Sequence, residues 1–215
     1  TTPKNVGLIL AGNIPLVGFH DVLSVFVAGH HAVIKLSDKD KVLTQFVIHL
    51  LEQVAPDTAA YFSFVERLQT YDAVIATGSD TTGNYFEKYF SHVPSIIRKN
   101  RHAVAVVNQS TSPSDLKNLG LDIFNYFGLG CRNVSKIYLE EGLKVDFVFD
   151  QLDSFKEVAN HNKYKNNFDY NFAAFSLDKT SFHINGCMIL VEKPEIRSRT
   201  SVVHYEFYEN KAELE

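Results

Sequence analysis

The stretch VGLILAGNIPLVGFHDVLSVFVAGHHAVIKLS, residues 6–37, decides the predicted fold of this 215-residue chain. Val6–Leu10 has the length and apolar character of a buried strand, and the AGNIP segment after it is rich in turn-forming residues. A helical pattern over Gly18–Ala28 then leads into a second strand, HAVIKLS. A strand, a helix and another strand in this order predict a βαβ unit with parallel strands.

The same alternation continues to about residue 140 and predicts an α/β fold with a mainly parallel, buried sheet. A helix is predicted over Asp38–Val54, with an apolar face formed by Leu43, Phe46, Val47 and Leu50. Further predicted elements are the strands AYFSFVE, DAVIATG and HAVAVV, a helix SDTTGNYFEKYF capped by Ser79 or Asp80, and a helix over Ser112–Phe127 that starts at Pro113.

The pattern changes beyond Leu143. The polar segment NHNKYKNNFDYN, residues 160–171, is interpreted as an exposed loop or a polar helix end, and strands are expected at NFAAFSL, GCMILVE and SVVHYEFYE. A domain boundary is expected within residues 100–107. We therefore predict one domain over residues 1–104 and a second over residues 105–215.

Composition restricts the function classes. A net charge of −4 gives no general reason to expect nucleic-acid binding, and the sequence has no apolar run of about 18 residues that would predict a membrane span. Two cysteines cannot form a disulfide framework, so we expect free thiols and a cytoplasmic location. Nine histidines occur without a recognisable ligand spacing, so no metal site is predicted.

Cys131 is the first candidate for chemistry, because it follows a Gly-x-Gly turn in NYFGLGCRNVSKIYL, residues 125–139. If a short helix begins there, exposed backbone amides would stabilise the thiolate and make it a nucleophile. The alternative is a small buried residue at a tight turn, and the sequence leaves both open. Cys187 lies in an apolar run and is interpreted as part of the core.

Five residues follow or end predicted parallel strands, where open α/β sheets bind ligands. Asn13 could donate to an oxyanion or simply form a turn before Pro15. Lys35 and Asp38 could contact a ribose or phosphate, or be a solvated strand end. Gly78 and Ser79, within ATGSDTTG, could meet a pyrophosphate at a helix N-terminus, although a capped helix has the same composition.

Five segments in order, AGNIPL, VIKLSD, ATGSDTTG, RKNRHAVAVV and GLGCRNVSKIYL, resemble the aldehyde dehydrogenase superfamily, and more closely its LuxC-type bacterial fatty-acyl-CoA reductases. The resemblance is clearest over residues 6–139. It implies a Rossmann-like cofactor domain joined to an α/β catalytic domain that carries the cysteine, here as part of a longer chain. It also implies that residues 1–104 bind the cofactor and that residues 105–215 carry the nucleophile.

The resemblance implies an NAD(P)-dependent reductase that converts a long-chain fatty acyl-CoA to the aldehyde through an acyl-cysteine thioester, with NADPH or NADH as cofactor and a homo-oligomeric assembly. Position by position it implies a nucleophile at Cys131, an oxyanion donor at Asn13, ribose contacts at Lys35 and Asp38, and pyrophosphate contacts at Gly78 and Ser79.

One departure from the superfamily pattern bears on the reaction. Typical aldehyde dehydrogenases carry a water-activating glutamate at the head of the segment that resembles RKNRHAVAVV, where this chain has Arg98, Lys99 and Asn100. The substitution favours reduction or exchange with coenzyme A over hydrolysis. Two alternatives remain: a cysteine acyltransferase or hydrolase with His30 or His102 as base, and a catalytically inactive acyl-CoA-binding or subunit domain.

Overall fold

A computed structural model describes residues 2–214 and has the predicted α/β architecture. The chain forms two compact units, Thr1–Asn100 and Arg101–Glu215. The division falls after Asn100 because Ala103 already pairs with Val134 in the second sheet. The roles expected for the two domains, cofactor binding and catalysis, stay predictions.

The first unit is built on a five-stranded sheet in the order β3-β2-β1-β4-β5, and every pair of neighbouring strands is parallel. The βαβ unit predicted from residues 6–37 is confirmed. The elements are β1 Asn5–Ile9, α1 Phe19–Val27, β2 His31–Lys35, α2 Val42–Val54, a 3₁₀ helix Pro56–Tyr61, β3 Phe62–Phe64, β4 Ala73–Thr77, α3 Asp80–Tyr89 and β5 Ser95–Arg98.

Two details of the first unit differ from the sequence expectation. Helix α2 begins at Val42 rather than Asp38, and its buried positions are Thr44 and Ile48. The predicted inward face is largely exposed, since Phe46 is 61% accessible to solvent. Periodicity located the stripe of apolar residues but not the side of the helix that meets the sheet. Strand β5 was not predicted, because its short SIIR run lies between polar segments.

The second unit contains a sheet in the order β6-β7-β10-β9-β8, parallel except for the short β8 at its edge. Its elements are β6 Ala103–Val107, α4 Pro113–Phe124, a 3₁₀ helix Asn125–Gly128, β7 Val134–Glu140, α5 Val145–Leu152, a 3₁₀ helix Asp153–Asn160, α6 Asn162–Leu177, β8 His183–Ile184, β9 Ile189–Glu192, β10 Val202–Tyr208 and a 3₁₀ helix Lys211–Leu214.

The expectation for residues 160–177 was wrong in one respect. NFAAFSL is not a strand, because it forms the end of the 16-residue helix α6. The buried positions Tyr164, Phe168, Asn171 and Phe175 recur every three or four residues, which is the period of a helix packed on one side. Helix α5 was also missed, whereas the strands expected at GCMILVE and SVVHYEFYE are confirmed as β9 and β10.

Candidate functional site

The carboxyl edge of the first sheet collects five of the six predicted site residues. Asn13 follows β1, Lys35 ends β2, Asp38 follows it, and Gly78 and Ser79 follow β4. Strand β1 lies between β2 and β4, because the chain places β2 and β3 on one side of β1 and then crosses to place β4 and β5 on the other. Open α/β sheets bind ligands at such a switch point. The predicted positions therefore lie at the edge where a ligand crevice is expected.

The loop that carries Asn13 is held in place by contacts with the segment that follows β2. Asp40, which is buried, accepts a hydrogen bond from the backbone N–H of Leu16 at 2.7 Å. Leu16 has a φ of 58°, so this bond stabilises a left-handed residue in the loop. Gly12 also packs tightly, because a Cβ there would lie 2.4 Å from the Ser37 hydroxyl. Sequence reasoning missed Asp40. The feature that could have revealed it is an acidic residue just before α2, a helix whose N-cap residue provides no side-chain cap.

A shallow groove opens where β2 and β3 end. Phe64 is among its apolar lining residues, and its polar lining is Lys41, Gln45 and Glu66. Lys41 pairs with Asp38 at 2.8 Å, and this hydrogen bond and the lysine charge hold the pKa of the Asp38 carboxyl below its usual range. An apolar surface beside a cation and a carboxylate suits a ring that bears hydroxyl groups. Glu66 was missed as a candidate, although it is the last residue of the predicted strand AYFSFVE.

The N-terminus of α3 opens at the same edge. Ser79 is the N-cap, as predicted, and its hydroxyl accepts the backbone N–H of Thr82 at 3.3 Å. Gly78 donates its N–H to the Arg98 carbonyl at 3.0 Å. A Cβ at Gly78 would lie 3.0 Å from Thr82 and 3.2 Å from Phe86, so close packing on α3 favours glycine here. The N-terminus of this ten-residue helix carries a partial positive charge and backbone N–H groups that lack a partner within the helix, and both favour the binding of an anion.

The residues that replace the expected glutamate are fixed within the first unit. Arg98 forms an ion pair with Asp21, whose side chain is only 7% exposed. Lys99 pairs with Glu87 at 2.7 Å, and Asn100 donates its backbone N–H to a carboxylate of α3. These contacts explain why cationic and amide side chains are accommodated at this strand end.

Cys131 is exposed and lies in a turn that precedes β7. The expected short helix at this point is absent from the described chain, so the argument from a helix N-terminus was wrong. The turn runs from Gly130 to Asn133 and is closed by the Asn133 N–H, which donates to the Gly130 carbonyl at 3.1 Å. Exposure removes the alternative of a buried structural thiol and leaves a solvent-accessible thiol.

The backbone before Cys131 is unusual. Tyr126, Phe127 and Gly128 have φ values of 54°, 59° and 71°, so three consecutive residues are left-handed. For the two aromatic residues this conformation costs about 1–2 kcal/mol each. The Phe127 ring offsets part of the cost by packing on His161, with ring centroids 4.2 Å apart. Such backbone persists only where surrounding contacts determine it, and it clusters at functional sites.

Cys187 has the opposite environment, which confirms the core interpretation. Its side chain is fully buried, and its thiol donates to the Asn185 carboxamide oxygen at 3.4 Å. Burial, with the nearby Asp153 carboxylate, raises the pKa of Cys187 to about 11. The thiolate is therefore scarce at neutral pH, and this cysteine is unsuited to nucleophilic attack.

The histidines show no metal-binding arrangement. Within residues 2–214, no three His, Cys, Asp or Glu side chains are grouped so that they could hold a metal ion. His30, a candidate base in the acyltransferase alternative, accepts the Lys4 N–H at the amino end of β2. In the same described part of the chain, no helix has the length and apolar character needed to cross a membrane.

Solved structures that match this fold include aldehyde dehydrogenases. A NAD-dependent aldehyde dehydrogenase from Sinorhizobium meliloti matches 98% of this chain with a TM-score of 0.76 at 13% identity, over 51% of its own length. The chain has an aldehyde-dehydrogenase-like fold. An aldehyde dehydrogenase from Bacillus cereus, solved in complex with NAD⁺, matches 98% of the chain with a TM-score of 0.75 at 13% identity, over 52% of its length.

A third aldehyde-dehydrogenase structure gives the same result. The γ-glutamyl-γ-aminobutyraldehyde dehydrogenase from Burkholderia cenocepacia J2315 matches 97% of the chain with a TM-score of 0.76 at 14% identity, over 52% of its length. The chain thus spans about half the length of the structures it matches. No protein-family model and no curated protein matches the sequence. At these identities the likeness establishes the fold alone.

Proposed function

We propose that the chain belongs to an NAD(P)-dependent reductase of the LuxC type, which converts a long-chain fatty acyl-CoA to the aldehyde through an acyl-Cys131 thioester. The observation that carries the proposal is the exposed Cys131 at a closed turn within an aldehyde-dehydrogenase-like fold. The aldehyde dehydrogenases that share this fold include one solved with NAD⁺. The names of these structures suggest an NAD-dependent oxidoreductase that acts on aldehydes. The acyl-CoA substrate is proposed from the sequence resemblance.

The first chemical step is attack of the Cys131 thiolate on the thioester carbonyl of the acyl-CoA. The new carbon–sulfur bond forms as coenzyme A leaves with its own sulfur as a thiolate. An oxyanion develops on the carbonyl oxygen, and the sequence resemblance implies the Cys131 backbone N–H and Asn13 as its donors. Each such donor contributes about 3 kcal/mol in comparable sites. Cys187 cannot replace Cys131, because its thiol is buried and its pKa is raised.

The carboxyl edge of the first unit fits a nicotinamide dinucleotide. Lys35 and Asp38 would contact the adenosine ribose, and Glu66 in the adjacent groove is a second carboxylate that could accept a ribose hydroxyl. Gly78 and Ser79, at the N-terminus of α3, would hold the pyrophosphate. When bound, the nicotinamide supplies the hydride that reduces the acyl-cysteine to the aldehyde. Both NADPH and NADH are compatible with this residue set.

Release by reduction rather than hydrolysis is proposed from residues 98–100. A hydrolytic enzyme needs a base that activates water, and the corresponding strand end carries Arg98 and Lys99, both committed to ion pairs. The acyl-cysteine would therefore persist until it is reduced or returned to coenzyme A. A cytoplasmic location is proposed from the two cysteines, which are expected to be free thiols in a reducing compartment, and a homo-oligomeric assembly is proposed on the sequence resemblance alone.

The nucleophile is tested with myristoyl-CoA in the absence of nicotinamide. Intact mass should increase by one myristoyl group, and peptide mapping should locate the group on Cys131. Cys187→Ala should acquire the same adduct, whereas Cys131→Ala should acquire none. Absence of an adduct on the folded protein, or an adduct on Cys187, would contradict the proposal.

A further inference from the structure

We propose that Asn133 is a positioning residue for Cys131, because its carboxamide fixes the turn that presents the thiol. The inference rests on the proposed function, in which Cys131 attacks a thioester. Asn133 lies two residues after Cys131, at the entrance to β7, and its side chain is buried beneath the exposed turn.

The Asn133 carboxamide links three pieces of backbone. Its oxygen accepts the N–H of Gly130 at 2.7 Å. Its nitrogen donates to the carbonyl of Asp122 at 2.7 Å and to that of Asn125 at 2.9 Å. The first carbonyl belongs to the last turn of α4, where helix carbonyls have no partner within the helix. One side chain therefore joins the end of α4, the residue before the left-handed segment and the residue before Cys131.

The backbone of Asn133 adds a fourth link, since its N–H closes the turn onto the Gly130 carbonyl at 3.1 Å. Gly130 is thus held at both its N–H and its carbonyl by the same residue. Cys131 and Arg132 are the two central residues of this turn and are both exposed. The direction of the Cys131 side chain and of its N–H follows from contacts made by Asn133, not from packing of the thiol itself.

Positioning and accessibility make different demands on the thiol. Alkylation by iodoacetamide needs only an exposed thiolate. Attack on a thioester also needs the thiolate and its own backbone N–H in a fixed relation to the carbonyl, and a misplacement of about 1 Å can cost 100-fold in rate. Loss of the Asn133 carboxamide should therefore slow acylation far more than alkylation.

The test compares Asn133→Ala and Asn133→Ser with Asn171→Ala. Asn171 is a matched control, because it is a buried asparagine of the same unit that donates to a backbone carbonyl, Thr200, at 2.9 Å. Myristoyl-CoA and iodoacetamide are the two probes, and each rate is measured at Cys131 by peptide mapping. Should Asn133→Ala fail to fold, Asn133→Ser carries the same comparison.

We expect acylation to fall about 10- to 100-fold in the Asn133 variants, while alkylation of Cys131 changes less than about threefold. Asn171→Ala should leave both rates near those of the wild type. Acylation that is unchanged in a folded Asn133 variant would overturn the inference. A parallel fall of both rates would also overturn it, since that result indicates a general structural effect.

Amide hydrogen exchange separates this inference from the proposed function. In the Asn133 variants, exchange should accelerate in the peptide covering residues 125–132 and remain unchanged in α6. If wild-type protein is not acylated at all, the proposed function fails, but the local exchange still decides whether Asn133 holds the turn. Unchanged exchange at residues 125–132 would refute that role.

Discussion

The ion pair between Arg98 and Asp21 should be a major stabilising element of the first unit. Asp21 lies in the first turn of α1, and its carboxylate is 7% exposed, whereas the Arg98 side chain at the end of β5 is 34% exposed. In Arg98→Met the carboxylate stays buried without its main cation. Removal of one partner from a buried pair costs about 3–5 kcal/mol. Because the Arg98 side chain is partly hydrated, we expect about 3 kcal/mol, at the low end of that range.

The reverse substitution should cost less. In Asp21→Asn the guanidinium can turn toward solvent and still donate to the amide oxygen, so we expect about 1 kcal/mol. The double variant should be about as stable as Asp21→Asn, because neither charge is then buried alone. Urea unfolding of the four proteins gives the coupling free energy directly. A loss below about 1 kcal/mol in Arg98→Met, or no recovery in the double variant, would show that the buried carboxylate does not depend on Arg98.

Three further predictions concern the second unit. At pH 8 the native protein should be alkylated by iodoacetamide once, on Cys131, and on Cys187 only after unfolding. A pKa of about 11 leaves about one Cys187 side chain per thousand as the reactive thiolate at that pH. Two rapid alkylations of the native protein would contradict this. Burial lowers the pKa of His204, so the unfolded chain binds a proton at a higher pH than the folded protein does. The free energy of unfolding should therefore fall as the pH drops below about 6.5. A His204→Asn variant with the same pH dependence would show that His204 is not the group responsible. Glu206→Gln leaves the charge of the fully buried Lys136 without its carboxylate partner, so it should lower the free energy of unfolding by about 3 kcal/mol. Lys136→Met should lower it less. Equal unfolding midpoints for the two variants would contradict that order.

The His204 and Lys136 predictions share a structural origin. Strands β9 and β10 are parallel neighbours, so the nine residues between them must return along the sheet. Buried side chains hold three successive carbonyls of this return: Lys136 binds that of Pro194, His204 that of Glu195, and Ser135 that of Ile196. A buried polar group is stable only when it is paired, and this connection provides the partners.

Local sequence patterns were sufficient for most of the first unit. Alternating strand and helix periods located βαβ units, and hydrogen-bonding chemistry at a helix start narrowed the cap of α3 to Ser79 or Asp80, of which Ser79 is the N-cap. The same reasoning failed at α2, because a sequence pattern shows which residues share a face but not what covers that face. It failed at NFAAFSL because a short apolar run read in isolation hides a helical stripe that begins at Tyr164.

The candidate site was only partly readable for a related reason. Positions at strand ends follow from topology, so the alternation of strands and helices is enough to predict Asn13 and Lys35 at one edge of a sheet. The Cys131 turn depends on contacts among residues 122–133, including three consecutive left-handed residues. Tyr and Phe rarely adopt that backbone, and no local propensity predicts it. Asn133 is therefore identifiable only from its hydrogen bonds.

Product analysis shows whether acyl-Cys131 is released by reduction. Myristoyl-CoA and the protein are incubated with NADPH or NADH, and aldehyde, fatty acid and nicotinamide oxidation are measured together, with Cys131→Ala as control. We expect one aldehyde per nicotinamide oxidised, little fatty acid, and no product from Cys131→Ala. Fatty acid formed without nicotinamide oxidation, or aldehyde formed by Cys131→Ala, would contradict it.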